Sequence, residues 1–299
     1  MAATSCPSRR RRRSRRPWRA SSMAEIVARG VRHHVQRLGR CIGAGDGEVQ
    51  PTVVFLHGLV MDNLSSWYFT AATRVAKVAP VFLYDLRGHG KSARPPTGYG
   101  LESLVEDLAA LLDAARLDGV RLVGNSFGGL LALAFALAHP ERVRELFLVD
   151  ALLPEPGWGT RMAESLSKTG EERDRLIGER FQSWLGRHSA RKRSRLADTA
   201  AALVERTSLL DDLRRSEGYA DEAYARLSMP IEALYGAESD VRAQGERLAR
   251  ATEACRLSLL PGATHSILWE RTDEVCRRLI AWARGGAPGD LALEEGTPP

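Results

Sequence analysis

The 299-residue sequence has few cysteines, no long apolar run and no acidic residue among its first 22 positions. The longest apolar stretch, Leu130 to Ala138, is far shorter than the roughly 20 residues that span a bilayer, so we expect no membrane segment and no membrane partner. The cysteines form no CxxC pair, which argues against a zinc site or a disulfide scaffold and fits reduced thiols in a cytoplasmic protein. They are Cys6, Cys41, Cys255 and Cys276.

Positive charge is concentrated at the start of the chain. Lys and Arg number 43 against 37 Asp and Glu, a formal net charge of +6 that taken alone suggests an anionic partner. Residues 1–22 carry eight of the arginines, and removing these eight charges from +6 leaves −2 for residues 23–299. No apolar h-region follows the arginines, so the segment does not fit an export signal. We interpret residues 1–22 as a disordered extension ahead of Met23 and do not expect nucleic acid as a partner; the alternative is a polybasic arm for nucleic acid or anionic lipid.

From about residue 31, short apolar runs alternate with helix-like patterns, which is typical of a mostly parallel α/β sheet. Apolar residues make up 44% of the chain, enough for a full-sized core. The runs with the length and composition of buried parallel strands are Val53–Leu56, Val81–Tyr84, Val120–Val123, Leu146–Val149, Ile231–Tyr235 and Arg256–Leu260. The apolar spacing between them predicts helices over Leu101–Ala115, Phe127–Ala138 and about 267–284.

The alternation stops between about residues 153 and 228. A stretch of roughly 75 residues between consecutive strands is too long for a loop in a compact domain. It predicts a small helical cap over the carboxyl edge of the sheet, where open α/β folds bind ligands. The predicted organisation is a first core part at 23–152, a cap at 153–228, a second core part at 229–285 and a disordered tail at 286–299.

Ser126 stands in the segment GNSFGG (residues 124–129), between a predicted strand and a predicted helix. A GxSxG pentapeptide alone is a weak signal, but the strand–turn–helix context makes it strong. Such a turn exposes the serine oxygen and directs the helix N-terminus at a developing oxyanion. The amide of Phe127 is then one predicted oxyanion donor, and Leu59, after the His-Gly pair that follows an earlier strand, is the other. We expect His57 to hydrogen-bond this loop instead of transferring protons.

A second turn, DLRGHGKS (residues 85–92), follows the predicted strand Val81–Tyr84. We interpret it as a charged turn in which Asp85 and Arg87 pair to hold the loop. HG after one strand, DxRGxGxS after the next and GNSFGG at the serine turn together resemble the α/β-hydrolase family. The resemblance extends over roughly residues 31–284. It implies an eight-stranded, mainly parallel sheet flanked by helices, and a Ser…Asp…His triad in that chain order.

Carried over position by position, the resemblance makes Ser126 the nucleophile and His265, in the segment PGATH, the base. A carboxylate must hold the imidazole in the correct tautomer and stabilise its protonated form. Asp240 is the first choice for this acid, because family members often carry a serine immediately before it. Glu238 and Asp150 remain alternatives. We expect no metal and no cofactor.

A serine at this turn favours acyl chemistry over the family branches that use an aspartate nucleophile. We expect an ester, thioester or lactone of a small organic substrate to be cleaved through an acyl-enzyme. Two alternatives stay open: hydrolysis of a C–C bond in a ring-fission product, and cofactor-free haloperoxidase-like chemistry. The sequence departs from the C–C hydrolases at residues 59–62, which lack glycine, and at Ser266, where those enzymes usually have tryptophan. A non-enzymatic alternative is a binding protein or receptor with this fold.

Three tryptophans are candidates for substrate contact, and packing is the alternative for each: Trp67, Trp158 and Trp184. We assign Trp269 to the core of the last helix. A basic run at 187–195 is interpreted as a solvated helix face, with docking of an acidic acyl-carrier protein as the alternative.

Overall fold

The computed structural model describes residues 21–39, 43–44, 48–168 and 190–285, and the side chains within 23–39, 50–168 and 198–285. Of the predicted terminal extensions, only Ser21 and Ser22 fall within the described residues, where they begin the first strand. Trp184 and the side chains of the basic run at 187–195 lie outside the described residues.

Eight strands form one sheet. They are β1 (Ser21–Ala28), β2 (Val31–Leu38), β3 (Val53–Leu56), β4 (Val81–Tyr84), β5 (Val120–Asn125), β6 (Val143–Val149), β7 (Ile231–Gly236) and β8 (Cys255–Leu260). Their order is β1-β2-β4-β3-β5-β6-β7-β8; β2 runs antiparallel to β1 and β4, and the other pairs are parallel. The predicted eight-stranded, mainly parallel sheet is confirmed. A two-residue ladder between Gly43–Ala44 and Glu48–Val49 lies outside it.

The described helices include the predicted ones at Leu101–Ala115 and Phe127–Ala138. They are α1 (Ser65–Trp67, a π-helical turn Tyr68–Ala72, and Thr73–Val75), α2 (Leu101–Ala115), α3 (Phe127–Ala138), α4 (Trp158–Ser167), α5 (Ala190–Glu205), α6 (Leu209–Arg215), α7 (Asp221–Tyr224), α8 (Arg242–Ala251), α9 (Ile267–Glu270) and α10 (Thr272–Ala283). The predicted last helix is interrupted at Arg271, which separates α9 from α10. No helix in the described ranges is both long and apolar enough to cross a bilayer.

The core lies on both faces of the sheet. Successive strand residues point to opposite faces, so Val54 and Leu56 join a cluster with α2 and α3, while Val53 and Phe55 join a second cluster with α1 and α10. Helix α3 is buried along nearly its whole length, since it packs directly behind β5 at the centre of the sheet. This packing fixes the junction between β5 and α3 in the middle of the molecule.

The turn after β4 is held differently from the predicted pairing of Asp85 with Arg87. The Asp85 carboxylate accepts a hydrogen bond from the amide of Leu64 at 2.8 Å and contacts Nδ1 of His34 at 2.8 Å. Arg87 makes a two-pronged ion pair with the buried Asp107 of α2, with both N–O distances 2.8 Å. The predicted pairing is therefore wrong: each side chain ties the turn to a different neighbour.

Candidate active site

Ser126 stands between β5 and α3, at the expected strand–turn–helix junction. Its backbone has φ 50° and ψ −122°, in a region that residues with a Cβ seldom adopt. The sharp turn brings backbone atoms so close that a Cβ at Gly124 would overlap the carbonyl of Gly128, and a Cβ at Gly128 would overlap the carbonyl of Leu56. The strained turn presents the Ser126 hydroxyl to the cavity above the sheet.

Replacing Gly128 with Ala should destabilise the fold by about 3 kcal/mol, because the overlapping atoms are backbone and cannot move aside. Gly100→Ala is the matched control: its φ is −68°, and the atom nearest to an added Cβ is Oγ of Ser216 at 3.4 Å. Urea unfolding of both variants checks the expectation. Equal unfolding free energies would contradict it.

His265 lies in the loop between β8 and α9, between Ser126 and the buried Asp150. Its Nε2 is 3.0 Å from Oγ of Ser126, and its Nδ1 is 2.6 Å from Oδ2 of Asp150. The Asp150 side chain is 1% exposed. In this arrangement Nδ1–H donates to the carboxylate, which leaves the lone pair of Nε2 for the serine proton.

Asp150 is held in place from the end of the neighbouring strand. It directly follows β6, with φ 46°, and its Oδ1 accepts a hydrogen bond from the amide of Gly236 at 2.8 Å. Its Oδ2 accepts a second one from the hydroxyl of Ser239 at 2.5 Å, on the same oxygen that faces His265. Ser239 was not predicted as a site residue. The available signal was its position, three residues after Gly236, where many family members carry the acid itself.

The carboxylate beside His265 is thus that of Asp150, which corrects the preference for Asp240. Strand β6 lies next to β5, the strand that precedes Ser126, whereas the loop after β7 starts one strand further away. Asp240 and Glu238 are exposed residues of that loop, and Asp240 forms part of the cavity wall. The loop contributes to the acid site through hydrogen bonds to Asp150 instead of a carboxylate.

The amides predicted as oxyanion donors, those of Leu59 and Phe127, belong to residues of the same cavity wall as Ser126. Phe127 begins α3, so its amide has no intrahelical acceptor. Leu59 lies in the loop after β3. Among the hydrogen bonds of the described residues, neither amide donates to another protein group, which leaves both available to a developing oxyanion.

A cavity of about 650 Å³ lies over Ser126, between the carboxyl edge of the sheet and helices α4 to α6. The helices contribute mostly apolar side chains to its wall: Trp158, Met162, Leu166, Val204 and Leu210. The volume and the apolar lining suit a small organic molecule. In the part of the chain that the structure describes, no cluster of three or more His, Cys, Asp or Glu side chains is arranged to hold a metal ion.

Trp158, a predicted substrate-contact residue, lines this cavity. Its ring centroid is 6.1 Å from that of Phe127, and its Nε1 donates to the carbonyl of Glu217 at 3.2 Å. Trp269, assigned to the core of the last helix, packs partly buried against both core clusters and also lines the cavity. It belongs to the short helix α9, whose separation from α10 the apolar spacing of the sequence does not reveal.

Trp67 packs beneath the site instead of facing it. The side chain is fully buried in α1; its Nε1 donates to the carbonyl of Leu56 at 2.8 Å and its ring lies 5.1 Å from that of Phe55. Its predicted substrate contact is therefore replaced by the packing alternative.

Comparison with known proteins identifies similar folds and sequences. A family model described as alpha/beta hydrolase fold matches residues 51–231. The 2-hydroxy-6-oxo-2,4-heptadienoate hydrolase of Pseudomonas putida is 42% identical over 114 residues, which cover 37% of this chain and only 39% of that protein. The enol-lactonase from Burkholderia xenovorans LB400 has a TM-score of 0.67 at 22% identity, covering 87% of this chain and 99% of that chain. A meta-cleavage product hydrolase from Pseudomonas fluorescens IP01 has a TM-score of 0.68 at 23% identity, covering 87% of this chain and 96% of that chain.

Proposed function

The chain belongs to the alpha/beta hydrolase fold family, and from this premise we propose that it is a serine hydrolase cleaving an ester, thioester or lactone of a small organic substrate. The observation that carries the proposal is the hydrogen-bonded series from Ser126 through His265 to Asp150, with distances of 3.0 and 2.6 Å. A serine hydroxyl is a weak nucleophile at its free pKa and needs a base within hydrogen-bond reach. His265 meets that requirement.

In the first half of the proposed reaction, Nε2 of His265 takes the proton of Ser126 while Oγ attacks the substrate carbonyl carbon. The Asp150 carboxylate stabilises the imidazolium that forms, and the amides of Leu59 and Phe127 stabilise the oxyanion. Collapse of the tetrahedral intermediate breaks the bond to the leaving group, which receives the proton from His265. The product of this half is an acyl-enzyme on Ser126.

In the second half, a water molecule replaces the leaving group. His265 takes a proton from this water as its oxygen attacks the acyl carbon, and the same two amides stabilise the second oxyanion. Collapse breaks the bond between the acyl carbon and Oγ, and His265 returns the proton to Ser126. The carboxylic acid product then leaves.

The segment at 153–228 acts as a cap in this proposal. Its described helices α4 to α6 form the wall of the cavity opposite the sheet. Arg247 of α8 joins this segment to the core, since it forms ion pairs with both Glu155 and Asp221, the latter at 2.7 Å. A cap held in this way would determine which acyl and leaving groups fit over Ser126.

A second candidate function is hydrolysis of a C–C bond in a ring-fission product. The 42% identity with 2-hydroxy-6-oxo-2,4-heptadienoate hydrolase over 114 residues favours it. The absence of glycine at 59–62 and the presence of Ser266 after the histidine weigh against it. We therefore place it second to ester, thioester or lactone hydrolysis.

A substrate panel combined with active-site labelling tests both functions. The panel comprises p-nitrophenyl acetate and butyrate, a thioester, a lactone and a 2-hydroxy-6-oxo-dienoate, with a fluorophosphonate as the serine-directed label. We expect labelling of the wild type, none of Ser126→Ala, and the highest kcat/KM on an ester, thioester or lactone. A higher kcat/KM on the dienoate would favour the C–C hydrolase. Absence of both labelling and turnover in the wild type would contradict a serine hydrolase.

A further inference from the structure

Two buried histidines lie behind the loop that carries the Leu59 amide. His57 follows β3 and is 0% exposed; His89 belongs to the turn after β4 and is 2% exposed. Their ring centroids are 5.3 Å apart. Neither ring belongs to the hydrogen-bonded series of Ser126, so the reaction described above gives them no task.

His57 fixes the peptide that contains the Leu59 amide. Its Nε2 accepts a hydrogen bond from the amide of Leu86 at 3.0 Å, so the proton resides on Nδ1, which donates to the carbonyl of Gly58 at 2.7 Å. The Gly58 carbonyl and the Leu59 N–H belong to one planar trans peptide and point in opposite directions. Holding the carbonyl against His57 therefore directs the Leu59 N–H away from the ring, on the opposite side of the peptide.

The next peptide is held by His89. Its Nε2 accepts a hydrogen bond from the amide of Val60 at 2.8 Å, and its Nδ1 donates to the carbonyl of Arg87 at 2.8 Å. Burial, together with the neighbouring His57, lowers the pKa of His89 to about 3. The ring is therefore neutral near pH 7, and its Nε2 lone pair is available to Val60.

The backbone at Val60 needs such an anchor. The carbonyl of Leu59 accepts a hydrogen bond from the amide of Met61 at 2.9 Å, which closes a three-residue turn around Val60, with φ 67°. Turns of this hand are rare and strained, and a β-branched residue makes the conformation more costly. A strained backbone of this kind persists only where its surroundings hold it.

We propose that His57 and His89 are positioning residues that clamp the peptides on either side of Leu59 and so aim its amide at the oxyanion. This role rests on the proposed serine-hydrolase function. The clamp acts on the transition state, because the oxyanion forms only when Ser126 attacks. Loosening it lowers kcat and leaves KM largely unchanged.

His89→Leu removes the acceptor for the Val60 amide, and His89→Gln offers a side-chain oxygen that can replace Nε2. We expect His89→Leu to lower kcat by about 10- to 100-fold, somewhat less than the loss of an oxyanion donor. Its affinity for a trifluoromethyl ketone, which forms a tetrahedral oxyanion with the serine, should fall by a similar factor. His89→Gln should restore most of both losses. His139→Leu is the control, since His139 lies at the end of α3 with a 33% exposed side chain.

Circular dichroism and unfolding midpoints show whether each variant is folded. If His89→Leu does not fold, His89→Asn is used instead, because its side chain is too short to reach the Val60 amide and it should show the same losses. Wild-type kcat and ketone affinity in a folded variant that lacks the acceptor for the Val60 amide would overturn the positioning role of His89. The proposed serine-hydrolase function would be unaffected by that result. Failure of the proposed function itself would appear as an unlabelled, inactive wild type, and would overturn both.

Discussion

Replacing Asp150 with Asn should lower kcat by about 10⁴-fold while KM and the fold change little. The asparagine is nearly isosteric and can still accept a hydrogen bond from Gly236 or Ser239. It no longer stabilises the imidazolium of His265, and its amide group favours the tautomer with the proton on Nε2. In that tautomer the ring cannot accept the proton of Ser126. Steady-state kinetics on p-nitrophenyl butyrate, with circular dichroism to verify folding, measure the loss.

Asp240→Asn and Glu238→Gln are the matched controls for this loss. Both side chains are exposed in the loop after β7, so removing their charges should leave kcat close to the wild-type value. Asp240 forms part of the cavity wall, and a change in KM there is compatible with the proposal. A larger loss of kcat in Asp240→Asn than in Asp150→Asn would show that Asp240, and not Asp150, is the acid that supports His265.

The sequence predicts the central strands of the sheet because parallel strands buried on both faces are continuous apolar runs. It does not predict the edge pair β1 and β2 individually. Strand β2 has only three apolar residues, Val31, Val35 and Leu38, and two of its polar residues, His33 and Gln36, are buried with them. A run interrupted in this way has no distinctive local pattern, and its place in the sheet depends on pairing with β4.

The residues of the candidate site differ in the same way: some are predictable from local sequence, and one depends on the tertiary structure. Ser126 and His265 are predictable because the serine turn requires particular neighbours within five residues and the histidine follows the last strand. The acid cannot be predicted from the sequence, since Asp150 and Asp240 both follow strands whose carboxyl ends meet at one edge of the sheet. Which of them reaches His265 depends on the strand order and on the Ser239 hydroxyl beside Asp150. Trp67 illustrates the same limit, because its place in the sequence does not tell whether it contacts substrate or packs in the core.

Ser126→Ala should lower kcat by about 10⁶-fold and abolish fluorophosphonate labelling, because it removes the atom that forms the acyl-enzyme. The cavity and the amides of Leu59 and Phe127 remain, so substrate should still bind. Residual turnover would then come from water attacking a carbonyl polarised by these amides. Single-turnover assays at high enzyme concentration, on protein purified separately from the wild type, measure such slow rates.

The double variant Ser126→Ala/His265→Ala tests whether Ser126 and His265 act together as one catalytic unit or contribute independently to kcat. Every proton transfer proposed for His265 belongs to the formation or the hydrolysis of an acyl-enzyme on Ser126, so removing His265 from a chain that already lacks Ser126 should lower kcat little further. The expected kcat of the double variant therefore lies close to that of Ser126→Ala. It is far higher than the kcat that would result if the fold-losses of the two single variants multiplied. A double variant in which the two losses of kcat multiply would show that His265 promotes hydrolysis independently of Ser126, and would contradict a mechanism in which the two residues act only as one unit.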